Sequence, residues 1–127
     1  MPVAYEFNGR VLVVRMVADY EPADIRATIA AALMDRMVEP IDGLVFDVRS
    51  STALRRRTGT DVRAMAAFLA HIASDRTLRV ALVADSDLAY GLMRVGAVDL
   101  ASAGVTTMVF RDAATAMTWA AGAAASG

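Results

Sequence analysis

The chain contains no cysteine and no lysine, one histidine and three prolines, and only 6% of its residues are aromatic. Each shortage removes a class of chemistry. Without cysteine there is no disulfide framework, no thiolate ligand and no thiol nucleophile. Without lysine there is no Schiff-base amine, no lysine general base and no phosphate-loop lysine. A lone histidine, His71, in a cysteine-free chain makes a poor zinc site, and the sequence pairs no serine with it as a nucleophile. Neither sign of charge dominates: 13 basic residues, every one an arginine, stand against 14 acidic ones, for a net charge of −1. There is thus no general attraction to nucleic acid, and none is expected as a partner.

Long hydrophobic runs are also missing. The mean hydropathy of +0.44 is high, but alanine supplies much of it. The apolar stretches Val11–Val14 and Val80–Ala84 are strand-length and flanked by charge. A membrane-spanning helix needs roughly 18 or more consecutive apolar residues. No transmembrane span is expected, no secretory leader is recognisable, and a cytoplasmic protein is the default expectation.

What is present suits one folded domain. The 127 residues are 57% hydrophobic and 21% charged, outside the range of disordered chains. Residues 1–121 are expected to form the domain and 122–127 a low-complexity tail that frays. Ala4–Phe7 and Arg10–Val17 read as two strands joined at Asn8-Gly9, a dipeptide suited to a tight hairpin. Pro22 opens a helix to about Val38, with Ile25, Ile29, Leu33 and Met37 as its apolar stripe. Leu44–Val48 reads as a strand buried on both faces, followed by a polar segment from Arg49 to Gly59.

Thr58 or Thr60 can cap the next helix, about Asp61–Ser74, with Val62, Met65, Leu69 and Ile72 facing inward. His71 lies on the opposite side of that helix and points to solvent. Arg79–Ala84 is a further buried strand, and Asp85 or Ser86 caps a helix from about Asp87 to Ala103. Thr106–Phe110 is the last strand, and Asp112 caps a final helix carrying Ala116, Met117, Trp119 and Ala120. The order β-β-α-β-α-β-α-β-α predicts an α/β domain with a mixed five-stranded sheet, an N-terminal hairpin and four helices.

Three stretches resemble the SpoIIAA-like family, which groups with STAS and CRAL-TRIO-like domains. They are Leu44-Val-Phe-Asp-Val-Arg, the segment from Arg79 through Asp85-Ser86-Asp87 to Tyr90-Gly91, and the ending from Val109 to Trp119. The resemblance implies a small non-enzymatic regulatory or interaction module that binds a partner protein or an apolar ligand. STAS domains that antagonise anti-sigma factors carry an Asp-Ser-Ser-Gly signature with a phosphorylated serine. This chain departs from it. Val48 and Arg49 separate Asp47 from Ser50 and Ser51, and Thr52 follows in place of glycine, so the phospho-switch does not transfer.

Several local features carry a functional and a structural reading. Arg55-Arg56-Arg57, with Arg49, Thr58, Thr60 and backbone amides at a helix start, is a candidate anion or partner loop; alternatively it is a solvated surface segment. Asp47, Ser50, Ser51, Asp85 and Asp87 form a candidate polar cluster at the strand ends, where open α/β sheets gather functional groups; an enzyme using Asp47, Asp85 and Asp87 as acidic groups is the alternative ranked behind an interaction module and a ligand carrier. The spacing of Asp85-Ser86-Asp87 resembles the start of haloacid-dehalogenase phosphatases, but the lysine that chemistry requires is missing, and a helix cap accounts for it. No cofactor and no metal are expected. The helix from Asp87 is apolar on two sides: Ala89, Leu92, Gly96 and Leu100 on one, Leu88, Val95 and Val98 on the other. The second set is a candidate interface, with a homodimer or a partner protein as its occupant, or it is covered by a neighbouring helix. Abundant methionine also suits an adaptable cavity for a lipid or small apolar ligand, or simply fills the core.

Overall fold

The computed structural model describes residues 3–18, 21–35, 41–51, 58–74 and 78–122. Their elements run β1 (Val3–Asn8), β2 (Val11–Ala18), α1 (Pro22–Asp35), β3 (Gly43–Ser51), α2 (Gly59–Ser74), β4 (Arg79–Val83), α3 (Asp87–Ser102), β5 (Thr106–Phe110) and α4 (Ala113–Ala120). The five strands form one sheet in the order β1-β2-β3-β4-β5. β1 pairs with β2 antiparallel, and the remaining pairs are parallel. This is the mixed α/β architecture that the alternation of patterns predicts.

The hairpin differs in detail. Asn8 pairs with Val11, so the two-residue loop is Gly9-Arg10 and not Asn8-Gly9. Gly9 takes the first turn position at φ +61°, a sign of φ that primed hairpin turns demand there and that glycine adopts without strain. Arg10 consequently leaves the strand and pairs with Asp42 at 2.9 Å.

Topology dictates the layers. Each parallel crossover steps in the same direction across the sheet, and right-handed connections then place α1, α2 and α3 on one face. Alternate strand residues follow. Leu12, Val14, Met16, Leu44, Phe46, Val48, Val80 and Leu82 join the core beneath these helices. Val11, Val13, Val45, Ala81 and Val83 face the other way, against Ala116 and Ala120 of α4. The central strands are therefore buried on both faces. Because the strand order never reverses, the sheet has no switch-point crevice of the kind that holds ligands in doubly wound folds.

The caps show why the helices start where they do. Thr58 Oγ1 accepts from the Asp61 amide at 3.1 Å while the Asp61 carboxylate accepts from the Thr58 amide at 2.9 Å, a reciprocal capping box. Ser86 caps α3 by accepting from the Ala89 amide, and Asp112 caps α4 by accepting from the Thr115 amide. α4 ends against the sheet at Gly43, where a Cβ would run into the Ala120 carbonyl.

Candidate functional site

Two places bring functional side chains together: the carboxyl ends of β2 and β3, and the outer face of α3. At the first, Asp47 is the sole charged or polar residue among the described ones to be fully buried, at 2% exposure. A carboxylate in an apolar strand needs compensation. Arg49 supplies a fork, with Nε on Oδ1 at 3.0 Å and a terminal nitrogen on Oδ2 at 2.9 Å. The Arg49 backbone amide also donates to Oδ1 at 3.0 Å.

That local bond alters the strand. An amide bonded to a side chain two residues back is withdrawn from the ladder. The β2–β3 register accordingly shifts here, from Arg15 opposite Asp47 to Val17 opposite Ser50. The resulting bulge lets β3 run on to Ser51 beside β2 alone. Arg15 completes the group, lying 3.7 Å from Asp47 and 3.1 Å from Glu6. Burial pushes the Asp47 carboxyl up, but the hydrogen bonds from Arg49 and the charges of Arg49 and Arg15 outweigh it and hold the group below the usual aspartate value.

Several expectations change in consequence. Arg49 belongs to β3 and its guanidinium forks onto Asp47. The α2 amides are not all open: those of Thr58 and Asp61 are taken by the capping box, the Val62 amide bonds the Thr58 carbonyl, and Asp61 puts a negative charge at the helix start. Thr60 is exposed beside them. Arg55, Arg56 and Arg57 lie outside the described residues, as does Met37. Ser50 and Ser51 end β3 instead of entering a loop.

The Arg49 charge is favoured by Asp85 and Asp112 as well as by Asp47. Asp87 turns instead to Arg111, at 3.1 Å. Arg111 also lies over the Tyr90 ring at 4.3 Å and ties the β5–α4 turn to the start of α3. Among the described residues no group of three or more His, Cys, Asp or Glu is placed to hold a metal ion.

The outer face of α3 is different in kind. Ala89, Met93, Gly96 and Leu100 are buried, with Gly96 packed 3.3 Å from Val62 of α2 as measured from the position its Cβ would take. Opposite them Leu88, Val95 and Val98 are 53%, 36% and 65% exposed, so no helix among the described residues covers them fully. The methionines divide: Met16 and Met93 are core, while Met34 and Met108 are exposed and not core filler. An apolar cavity of about 50 Å³ lies beneath α2, lined by Ile25, Phe46, Met65, Leu82 and Met93 among others. That volume is far below the roughly 300 Å³ at which small-molecule sites begin.

Arg15, Glu6 and Arg111 were not apparent as site residues in the sequence. A usable signal did exist for Arg15: it stands in step with Val11 and Val13, on a face that is otherwise apolar and so requires a counter-charge. Among the described residues no helix is long and apolar enough to cross a membrane. No protein-family model matches the chain, and neither a curated protein nor a solved structure is significantly similar to it.

Proposed function

We propose that this domain is a non-enzymatic interaction module, cytoplasmic in setting, that engages another polypeptide through the outer face of α3. One observation carries the reading: Leu88, Val95 and Val98 stand exposed in line along a helix whose opposite side already fills the core. Leaving three aliphatic side chains in water forgoes part of the 1.5–3 kcal/mol that burial of each would contribute, approximately, if covered. The resemblance to SpoIIAA-like modules points the same way. At the strand ends, the carboxylate and guanidinium groups of Asp47, Arg49, Arg15 and Glu6 are spent on each other, which suits a structural role better than acid–base chemistry. Carriage of a lipid or small apolar ligand is less well supported, since the apolar cavity beneath α2 would have to expand several-fold and the hollow of about 300 Å³ beside Leu78, Arg79, Gly104 and Thr106 has a largely polar lining.

The test is site-specific photo-crosslinking in cells. A crosslinker replacing Val98 should yield a discrete protein adduct, while one replacing the exposed Ala114 of α4 should not. Absence of any adduct from Val98, or equal labelling from both positions, would remove the reading.

A further inference from the structure

We infer that the occupant of the α3 face is a second copy of this chain, with the two α3 helices parallel and in register about a two-fold axis. The inference rests on the interaction reading above and names its partner. The exposed positions Leu88, Gly91, Val95, Val98 and Ser102 follow spacings of three, four, three and four residues. That is the seam of a left-handed helix pair, with Leu88 and Val95 in one kind of layer and Gly91 and Val98 in the other.

Gly91 gives an independent indication. It lies in the middle of α3, where glycine costs helix stability relative to alanine. Among the described residues nothing lies within 4 Å of the position its Cβ would occupy. Packing among the described residues therefore leaves room for a side chain there, whereas at Gly96 a Cβ would stand 3.3 Å from Val62. A glycine on a seam lets a second backbone come close.

Charge selects the partner and its direction. Arg94 flanks the seam on one side and Asp99 on the other, five residues apart, the offset at which flanking charges of two parallel in-register helices meet. Arg94 then faces Asp99 of the second copy, and the two-fold axis repeats the pair. An antiparallel pair would instead set Arg94 beside Arg94 of the second copy. Arg94 has no ion-pair partner among the described residues. Among the described residues Asp99 has one ion-pair contact, a long one to Arg63 at 3.9 Å.

Because the chain has no cysteine, an introduced thiol can pair only with its counterpart. The test combines sedimentation of the intact protein with oxidation of Val98→Cys, using Ala114→Cys as control. A dimer is expected in the micromolar range, with Val98→Cys crosslinking to itself and Ala114→Cys not. Arg94→Glu should weaken the dimer about tenfold, since two exposed attractive pairs become repulsive, and adding Asp99→Arg should restore it. Melting curves of each variant establish that the monomer still folds. A protein that stays monomeric at hundreds of micromolar overturns the inference. So does a dimer in which Val98→Cys fails to crosslink, or one that the charge swap does not restore. If the protein is monomeric but Val98 still photo-crosslinks to a different polypeptide, self-pairing fails and the interaction reading stands. If neither occurs, both fall.

Discussion

At the scale of single residues, Asp47 shows how a buried charge becomes tolerable by reorganising its own strand. Its oxygens are satisfied by the Arg49 fork and the Arg49 amide, while the guanidinium remains about one-third exposed. Asp47→Ala would strand an arginine that can still reach water, so the expected cost is about 1–3 kcal/mol rather than that of a fully buried pair. Asp47→Asn keeps an oxygen for the Arg49 amide but loses the charge, and should cost less than Asp47→Ala. Denaturant midpoints check both. The pH dependence follows from the lowered pKa. In the unfolded chain this carboxyl protonates near the ordinary value of ~3.9, in the folded protein only below it. Its contribution is fully present above the unfolded value and is lost as pH falls through the folded one. Acid titration of wild type against Asp47→Asn should show the wild type losing its advantage in that window. Parallel stability curves down to the lowest pH would rule out this role.

At the scale of elements, the helix starts were legible because capping chemistry is local: Asp112 caps the helix the sequence assigns to it, and of Asp85 and Ser86 it is Ser86 that caps α3. The strands were legible because apolar runs between charges leave few alternatives. The one-residue offset of the hairpin was not, since Asn-Gly and Gly-Arg both offer a glycine at the turn, and the register of Phe7 opposite Leu12 decides between them. The commitment of Arg49 to Asp47 was also hidden. The sequence shows an arginine after a strand, whereas the bulge is a product of the folded ladder. Two glycines of opposite character test the account of element packing. Gly43→Ala should destabilise by roughly 1–3 kcal/mol, the usual range for overpacking, because the new methyl meets the backbone at the end of α4. Gly91→Ala should do the reverse. In a Val98→Glu background that holds the chain monomeric, it should raise stability by about 0.5–1 kcal/mol from helix propensity alone, as there is open space around it. A loss of stability there, measured by chemical denaturation, would mean that Gly91 serves packing within the chain after all.

At the scale of the whole molecule, the two faces of the sheet are unequally guarded. Among the described residues three helices cover one face, while α4, eight residues long, is the one helix against Val11, Val13, Val45, Ala81 and Val83. A helix that short is not stable in water by itself. It is held by Ala116 and Ala120 on the sheet, and by Arg79, which donates to the Trp119 carbonyl at 3.1 Å and lies 5.3 Å from its ring. A cation at those last carbonyls also complements the helix dipole. Trp119 is the chain's sole tryptophan and its ring packs, tilted by 52°, 5.6 Å from that of Phe110, so its fluorescence reports the docking of α4 and little else. Far-UV circular dichroism is dominated by the other elements. In the wild type both signals should fall at one denaturant concentration, because the same strands carry both cores and the domain is small enough to unfold as a unit. Gly43→Ala strikes only the seat of α4. It should therefore move the fluorescence transition to lower denaturant than the circular dichroism transition, as α4 lifts while the three-helix layer persists. If the two signals remain superimposed in the variant, α4 belongs to the same cooperative unit as the opposite layer, and the second face is not the weaker one.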